Sequence, residues 1–494
     1  MICLTLMESS IESNFKVLEK NRHLVDMAEL RLDMLIEPLA VAPDKVKLDF
    51  EIPLIITYRK KIDGGGYEGS ELFRRDILYS YAVSGFAFID LELGSSFPEV
   101  EKAALEGGTG IIRSYHNFNE VPDNLDIIIR ELASIPGEIP KVAVYPGSSS
   151  ETLKFFKVFE KTRDIKEKII LGMGEFGIPS RILYKQLGSL ISYCSGSDNS
   201  GAPGQITPGD MKNLYRADKI NNSTAVYGVI GNPVMHSRSP RLHNKAYQRA
   251  LLNAVYIPFK VDDVGSFFKL ASLIDIRGFS VTVPHKVNVI EFINEQSPEV
   301  DRILSCNTVS RSDMLWKGYN TDMDGFLLPL ISKINTVGLK NSGLKISSLK
   351  KGAVIGAGGA ARAVITALQS LDMKITIFNR SESRGTELAS ETGSSFSPLS
   401  RIDLLSDFDI IVQTTTVGMT PEVDSTPLPG YKFRKNQIAY DIIYTPLETK
   451  FLKDAKSAGS ITIGGMAMLQ AQGIRQFEIF TDRQFPLEEQ KESF

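Results

Sequence analysis

The residues most able to do chemistry are a glycine loop, a run of charges at strand spacing, and a lysine beside an apolar run. In Ala353-Val-Ile-Gly-Ala-Gly-Gly-Ala-Ala-Arg-Ala-Val, Gly356, Gly358 and Ala361 stand at G-x-G-x-x-A spacing. The segment before reads as a strand and the one after as a helix. The first glycine permits a tight turn, the second lets the backbone approach a pyrophosphate, and the small third residue allows close helix packing. Amides at the helix start, across Gly356, Ala357, Gly358, Gly359 and Ala360, would then face phosphates. The next strand, Lys374–Phe378, runs into Asn379-Arg380-Ser-Glu-Ser-Arg384. An acidic residue about 20 residues past the glycines would hold a ribose 2′-hydroxyl. Here Asn379, Arg380 and Arg384 take that place, and guanidiniums grip a 2′-phosphate, so the pattern favours NADP(H) over NAD. The flanking strand and helix argue against a glycine turn that binds nothing.

In the first half, strand alternation puts Glu29, Arg31 and Asp33 on one face. Inward charges call for a functional explanation, the alternative being an internal salt-bridge cluster. Lys141 opens the apolar strand Lys141-Val-Ala-Val. Burial would lower its pKa and supply the free amine that Schiff-base formation needs. Taken alone, a strand-end lysine more often snorkels to solvent.

These residues must be positioned by a chain of 494 residues, enough for two to four domains. Hydrophobic residues make up 43% and charged residues 23%, as in a soluble globular protein. A net charge of −3 and a pI of about 6.1 leave no basic field for nucleic acid or an anionic membrane. No apolar run is long enough to span a bilayer. The three cysteines, Cys3, Cys194 and Cys306, are far apart and read as buried thiols in a reducing compartment. The N-terminus reads as a strand without leader features, so the expected location is cytoplasmic.

Strands are expected near Ile2–Leu6, Ala28–Leu32, Leu54–Tyr58, Ala87–Leu91, Gly110–Ser114, Val142–Tyr145, Ile169–Leu171 and Leu190–Tyr193, with helices between, such as Glu99–Glu106 and Asn124–Ala133. Eight strand–helix units in roughly 210 residues suggest an α/β fold, a (β/α)₈ barrel, with an open doubly wound sheet as the alternative. The Gly/Ser/Pro-rich stretch Ser195–Gly209 and the polar Asp210–Thr224 read as a domain end and linker. Alternation resumes at Val226–Ile230. The expected domains are 1–212, 222–330 completed by 464–494, and 345–463, the last a Rossmann unit.

Around the glycine loop lie further motifs. They are Gly228-Val-Ile-Gly-Asn-Pro-Val-Met-His-Ser237-Arg-Ser239-Pro, Val281-Thr282-Val-Pro-His-Lys286, Asn307-Thr-Val and Asn320-Thr-Asp322-Met-Asp-Gly. Thr414-Thr415-Thr-Val-Gly-Met419, Asp441-Ile-Ile-Tyr444 and Gly465-Met-Ala-Met-Leu-x-x-Gln472 follow. Together they resemble shikimate dehydrogenase over the whole second half. That resemblance implies a two-lobed unit that reduces 3-dehydroshikimate to shikimate with NADPH. It puts Lys286 and Asp322 in the proton relay that serves the developing alkoxide. Ser237 and Ser239 would bind a carboxylate, and Thr282, Asn307 and Gln472 ring hydroxyls. Tyr444 would sit near substrate and nicotinamide. Thr415, Met419 and Gly465 would join the cofactor site.

The first half adds Thr57-Tyr-Arg59, Ser114-Tyr-His116-Asn-Phe, Ser180-Arg181-Ile and Gly201-Ala-Pro-Gly-Gln205. With Glu29, Arg31 and Lys141 these resemble type I 3-dehydroquinate dehydratase, a (β/α)₈ enzyme, over residues 1 to about 210. The resemblance implies that Lys141 forms an iminium at the C3 ketone of 3-dehydroquinate. His116 would move the C2 proton and help expel the C1 hydroxyl, with Glu29 positioning His116 or a substrate hydroxyl. Arg31, Arg59, Arg181 and Gln205 would hold substrate. No cofactor is implied, and no metal-ligand spacing such as His-Glu-x-x-His is present. Two positions depart from the family pattern: Gly201, where Ser is common and Ser200 could substitute, and Asp63, where Glu is common. A quinate-preferring dehydrogenase and a non-enzymatic metabolite sensor are the alternative readings. Monomer and homodimer stay open.

Overall fold

The computed structural model describes residues 1–37, 42–196, 204–340 and 345–486. The chain forms two compact units, Met1–Ile276 and Arg277–Phe494. In the first, eight parallel strands follow in turn: β1 (Ile2–Leu6), β2 (Met27–Arg31), β3 (Leu54–Thr57), β4 (Phe88–Glu92), β5 (Gly110–Asn117), β6 (Glu138–Val144), β7 (Ile169–Gly172) and β8 (Ser192–Ser195). Their order is β7-β6-β5-β4-β3-β2-β1-β8, which brings the last strand beside the first. At the β7–β8 seam the amide of Leu190 donates to the carbonyl of Lys168 at 2.8 Å. The sequence is therefore a nearly closed barrel, and the open doubly wound alternative is excluded.

Side chains alternate along each strand. Cys3, Met27, Ile55, Ile112, Ile169, Leu171, Ile191 and Tyr193 form one buried apolar cluster. A larger cluster, including Leu4, Leu30, Ile56, Ile89 and Leu78, lies between strands and helices. The expected linker Asp210–Thr224 is not free chain. Met211 and Ala217 are fully buried in that larger cluster, and Asp210–Leu214 coils as a short π-helix. Ile220 is buried as well, and the polar composition hid all three anchors. β9 (Ala225–Gly231) and β10 (Ala254–Lys260) then pair in parallel within the same unit.

The second unit contains β11 (Ile276–Val281), β12 (Glu295–Gln296), β13 (Thr308–Ser312) and β14 (Leu315–Tyr319). β13 pairs antiparallel with both β11 and β14. A six-stranded parallel sheet follows, from β15 (Lys351–Ile355), β16 (Lys374–Asn379), β17 (Ser395–Pro398), β18 (Ile410–Gln413), β19 (Ile438–Asp441) and β20 (Ile461–Ile463). Its order, β17-β16-β15-β18-β19-β20, reverses direction between β15 and β18. That is the doubly wound dinucleotide-binding arrangement, with its crevice at the β15 carboxyl end.

One buried ion network braces the barrel wall. Arg74, fully buried, donates to Glu92 at 2.7 Å, to Ser95 Oγ at 2.9 Å and to the carbonyl of Tyr58 at 3.1 Å. Removing one partner of a buried pair leaves an uncompensated charge and costs about 3–5 kcal/mol. Arg74→Met should therefore lower the thermal midpoint of the barrel, and Arg74→Met/Glu92→Met should recover part of the loss. Differential scanning calorimetry of both variants checks this; a midpoint unchanged in the single variant would refute it.

Candidate active site

Lys141 does not open its strand. β6 starts at Glu138, so Lys141 stands mid-strand, in register with Ser114 and Ile169, and points into the barrel. It is 3% exposed, which excludes a snorkelling lysine. Its Nζ donates to Asp90 Oδ2 at 2.8 Å, lies 3.5 Å from Glu29 Oε1, and sits over the Tyr193 ring at 4.4 Å. The amine is thus buried but flanked by two carboxylates. The expectation from burial alone omitted both.

Asp90 is the functional residue that sequence reasoning missed. Besides Lys141 it accepts from Arg59 NH2 and Ser114 Oγ, each at 2.6 Å. Burial alone would push its carboxyl pKa up. The charges of Arg59 and Lys141 outweigh that and hold it well below the usual carboxylate range. The available signal was its place on β4, Phe88-Ile-Asp-Leu-Glu, as a carboxylate between two apolar neighbours.

His116, on β5, faces Arg59 NH1 from Nε2 at 3.0 Å. A guanidinium can only donate, so Nε2 accepts and the ring proton belongs on Nδ1. Burial, then the charges of Arg59 and Lys141, hold the imidazole well below its ordinary pKa, so it is neutral at neutral pH. Of the two groups Glu29 was expected to position, His116 or a substrate hydroxyl, His116 is not among its hydrogen-bond partners in the described residues. Glu29 instead accepts from Thr57 Oγ1 at 2.9 Å and Thr5 Oγ1 at 3.4 Å. Asp33 does not share the strand face of Glu29 and Arg31. β2 ends at Arg31, and Asp33 lies in the following turn, where it takes a bidentate pair from Arg31 at 2.9 and 2.6 Å.

Arg181, in the helix Gly174–Ile182, is 2% exposed and donates to the carbonyl of Gly172 at 2.9 Å. It has no carboxylate partner among the described residues, and burial pulls its pKa down to about 10. Gln205 donates to Thr5 Oγ1 at 3.2 Å. One cavity is lined by Lys141, His116, Glu29, Arg31, Arg59, Arg181 and Gln205, with Met173 and Tyr193. Of the barrel residues singled out from sequence, Asp33 and Asp63 stay outside this cavity; Asp63 pairs with Lys60 at 3.6 Å in the loop beyond β3. That loop is tied down by Gly66, whose amide donates to Asp33 at 2.9 Å. Gly201 and Ser200 lie outside the described residues.

In the second unit Lys286 forms a close ion pair with Asp322. Asn307 Nδ2 donates to Asp322 Oδ1 at 2.8 Å and to Thr321 Oγ1 at 3.0 Å. Asn320 Oδ1 accepts from the Asp322 amide at 3.0 Å. Gln472, from the helix Gly465–Thr481, accepts from Thr321 Oγ1 at 3.5 Å. Thr321 was not singled out from sequence; it is the hydroxyl that joins Asn307 to Gln472. Thr282 is half-buried four residues before Lys286, and its carbonyl accepts from the His285 amide at 2.9 Å. Tyr444 is half-buried beyond β19. In the first unit Ser237 Oγ accepts from the Ser239 amide at 3.3 Å, at the start of the helix Ser239–Arg249.

The glycine loop fits a dinucleotide. Gly356 has φ +113°, and a Cβ there would lie 2.6 Å from Thr414 Oγ1. Gly358 faces open space, and the helix Gly359–Gln369 begins without a side-chain cap, so its first amides are available to an anion. A Cβ on Gly359 would sit 3.5 Å from Lys286, so loop and ion pair are neighbours. Ala357 and Ala360 are half-buried in the loop. Arg380 and Arg384 are exposed past β16 without a carboxylate partner among the described residues, and Asn379 donates to the carbonyl of Ser381 at 2.8 Å. Thr415 donates to Gln413 Oε1 at 3.0 Å, and Met419 is exposed beyond it. Gly465 packs against the Ile442 carbonyl, where any Cβ would collide at 2.1 Å.

Comparisons with known proteins agree with this division of labour. A type I 3-dehydroquinase profile matches residues 2–222, a shikimate dehydrogenase substrate binding domain profile residues 229–309, and a shikimate/quinate 5-dehydrogenase profile residues 340–428. The chain is 34% identical over 503 residues to the chloroplastic bifunctional 3-dehydroquinate dehydratase/shikimate dehydrogenase of Arabidopsis thaliana, covering 99% of this chain and 83% of that one. It is 30% identical over 487 residues to a shikimate biosynthesis protein of Chlamydia pneumoniae, with 97% and 95% covered. Among solved structures, a shikimate dehydrogenase in complex with NADP+ aligns with 35% identity and a TM-score of 0.50, over 56% of this chain and 96% of that one.

Asp441, at the end of β19, is fully buried. Burial pushes its carboxyl pKa up to about 7, against hydrogen bonds from Thr449 Oγ1 at 2.6 Å and the Ile443 amide at 2.9 Å. The folded state therefore keeps this proton over a range where the unfolded state has lost it. Its contribution to stability should fall as pH rises from about 4 to about 7, by up to about 4 kcal/mol, and stay level above. Asp441→Asn should flatten that slope and raise the thermal midpoint at pH 8. Midpoints of both proteins from pH 4 to 8 test this, and parallel curves would rule it out.

Proposed function

The chain belongs to the family of bifunctional 3-dehydroquinate dehydratases/shikimate dehydrogenases, and from that premise we propose how its residues perform the two reactions. It is a shikimate-pathway enzyme: a lyase that converts 3-dehydroquinate to 3-dehydroshikimate, joined to an NADP-dependent oxidoreductase that reduces 3-dehydroshikimate to shikimate. The observation that carries the first reaction is a buried amine, Lys141, flanked by carboxylates in a cavity that also holds a neutral imidazole.

Lys141 attacks the C3 ketone, and loss of water gives an iminium that withdraws electrons from C2. His116 takes the C2 proton. The electron pair flows into the iminium and back to expel the C1 hydroxyl, to which His116 returns the proton so that it leaves as water. Hydrolysis of the product imine restores Lys141. Asp90 holds the amine and Arg59 in place. Glu29 orients Lys141 and a substrate hydroxyl. Arg181, a buried cation with no carboxylate partner among the described residues, binds the substrate carboxylate. Arg31 and Gln205 contact its oxygens.

In the second half, Gly356 to Ala360 cradle the pyrophosphate, with Thr415, Met419 and Gly465 around the remaining cofactor. Asn379, Arg380 and Arg384 hold the 2′-phosphate. When bound, NADPH supplies the hydride that reduces the ketone. Lys286 donates the proton to the developing alkoxide, and Asp322 holds Lys286 and a substrate hydroxyl. Asn307, Thr282 and Gln472 hold ring hydroxyls, Ser237 and Ser239 the carboxylate, and Tyr444 lies beside the ring. The extents 1–212, 222–330 with 464–494, and 345–463 are the functional domains; the profile boundaries support them, and residues 487–494 lie outside the described residues. The partners are these small molecules, with neither nucleic acid nor membrane; no helix among the described residues is long and apolar enough to cross one. Three buried free thiols support a reducing, cytoplasmic location.

Borohydride added during turnover of 3-dehydroquinate should trap a covalent adduct on the wild-type chain, visible by mass spectrometry. Lys141→Met should give no adduct and no dehydration while still reducing 3-dehydroshikimate. An adduct persisting in that variant would disprove the assignment. Arg380→Ala/Arg384→Ala should raise KM for NADPH about 10- to 100-fold, since each charged hydrogen bond is worth about 1.5–3 kcal/mol before solvent screening, and leave KM for NADH within about twofold. Equal losses with both cofactors would contradict the 2′-phosphate role.

A further inference from the structure

The barrel site is fastened from outside the barrel. Lys260, the last residue of β10, reaches Glu175 Oε2 at 2.6 Å and lies 5.2 Å from the centre of the Phe176 ring. Two residues on, Asp262 Oδ1 accepts from the Ser149 amide at 2.8 Å. In return Ser149 Oγ accepts from the amides of Asp262 and Asp263 at 3.0 and 3.3 Å. Ser149 opens the helix that follows β6, so Asp262 caps that helix from a distant part of the chain.

Both fastened helices follow strands that carry the dehydratase site. Glu175 and Phe176 stand in the first turn of the helix Gly174–Ile182, whose last turn holds Arg181 in the cavity. Directly before it, Met173 lines the same cavity. Gly174 is wedged on two sides. A Cβ there would lie 2.8 Å from the Tyr145 ring beyond β6, and a Cβ on Gly204 would lie 2.4 Å from the Gly174 carbonyl. Gly204 precedes Gln205, another cavity residue. A shift of the Gly174–Phe176 turn therefore moves Met173 and Gln205 together, while Gly177 keeps the rest of the helix stacked on Gly172.

We propose that Lys260, from the dehydrogenase part of the sequence, is a positioning residue for the dehydratase reaction, acting through Glu175 on the turn that sets Met173, Gly174 and Gln205. The inference rests on the dehydratase reading above. Lys260 touches no substrate and plays no part in either proton transfer. The Asp262–Ser149 exchange keeps the end of β10 against the barrel, so that the lysine reaches its partner.

Charge reversal tests this. Lys260→Glu and Glu175→Lys should each raise KM for 3-dehydroquinate about three- to tenfold while dehydratase kcat stays within about twofold. The dehydrogenase kcat and KM, assayed with shikimate and NADP+, should stay within about twofold. The double reversal should return the dehydratase KM to the wild-type value. If a reversed chain does not fold, Lys260→Gln and Lys260→Arg give the same contrast: the neutral residue raises KM and the cation preserves it. An unchanged KM in the single variants, no recovery in the double variant, or a parallel fall of both activities would overturn the proposal. A wild-type chain that fails to dehydrate 3-dehydroquinate would instead bring down the reading on which it rests.

Discussion

Burying Arg59 and Lys141 inside an apolar barrel requires anions beside them, and Asp90 meets both demands at once. Its two oxygens take one cation each, with Ser114 as a third donor. An isolated cation in that place would be expelled or neutralised. With Asp90 present, the lysine stands in a fixed position beside an imidazole kept neutral by burial first and then by the same two cations. Lys141, His116 and Arg59 are thus one electrostatic unit. Glu92 and Arg74 extend it into the barrel wall, so the site and the scaffold share their ion pairs.

Arg181 is the exception within that balance, and the exception has a use. Every other buried arginine of the barrel meets a carboxylate, whereas Arg181 meets the carbonyls of Gly172 and Tyr193. Carbonyls offset the desolvation of a guanidinium less than a carboxylate does, which leaves Arg181 the barrel arginine best suited to an anion in the cavity.

The dehydrogenase network solves a related problem at strand ends and turns. Lys286 and Asp322 form a pair whose second carboxylate oxygen is held by Asn307, and Thr321 carries the network on to Gln472. These residues come from distant segments, and a short polar ladder makes them one surface. Here the lysine is partly open to solvent, as a proton donor to a transient alkoxide needs to be, whereas the imine-forming Lys141 is sealed.

The sequence by itself determined the strand count of the barrel and the place of the glycine loop between strand and helix, and its motifs carried the family resemblance that points to Lys141 and Lys286. Each is written in local spacing: alternation, turn glycines, or motifs contiguous in the chain. It did not reveal Asp90, because an aspartate between apolar neighbours does not say which cations fold against it, Arg59 from just beyond β3 and Lys141 from β6. It misplaced Asp33, since alternation cannot say where a strand stops, and it left Glu29 between His116 and a substrate hydroxyl without showing its contacts to Thr5, Thr57 and Lys141. It read Asp210–Thr224 as linker because three buried anchors, Met211, Ala217 and Ile220, are too few and too unevenly spaced to set a period. Nor could it show that Lys260 reaches Glu175 across 85 residues of sequence. Charge pairing and burial depend on which segments meet, and that is decided only when the chain closes on itself.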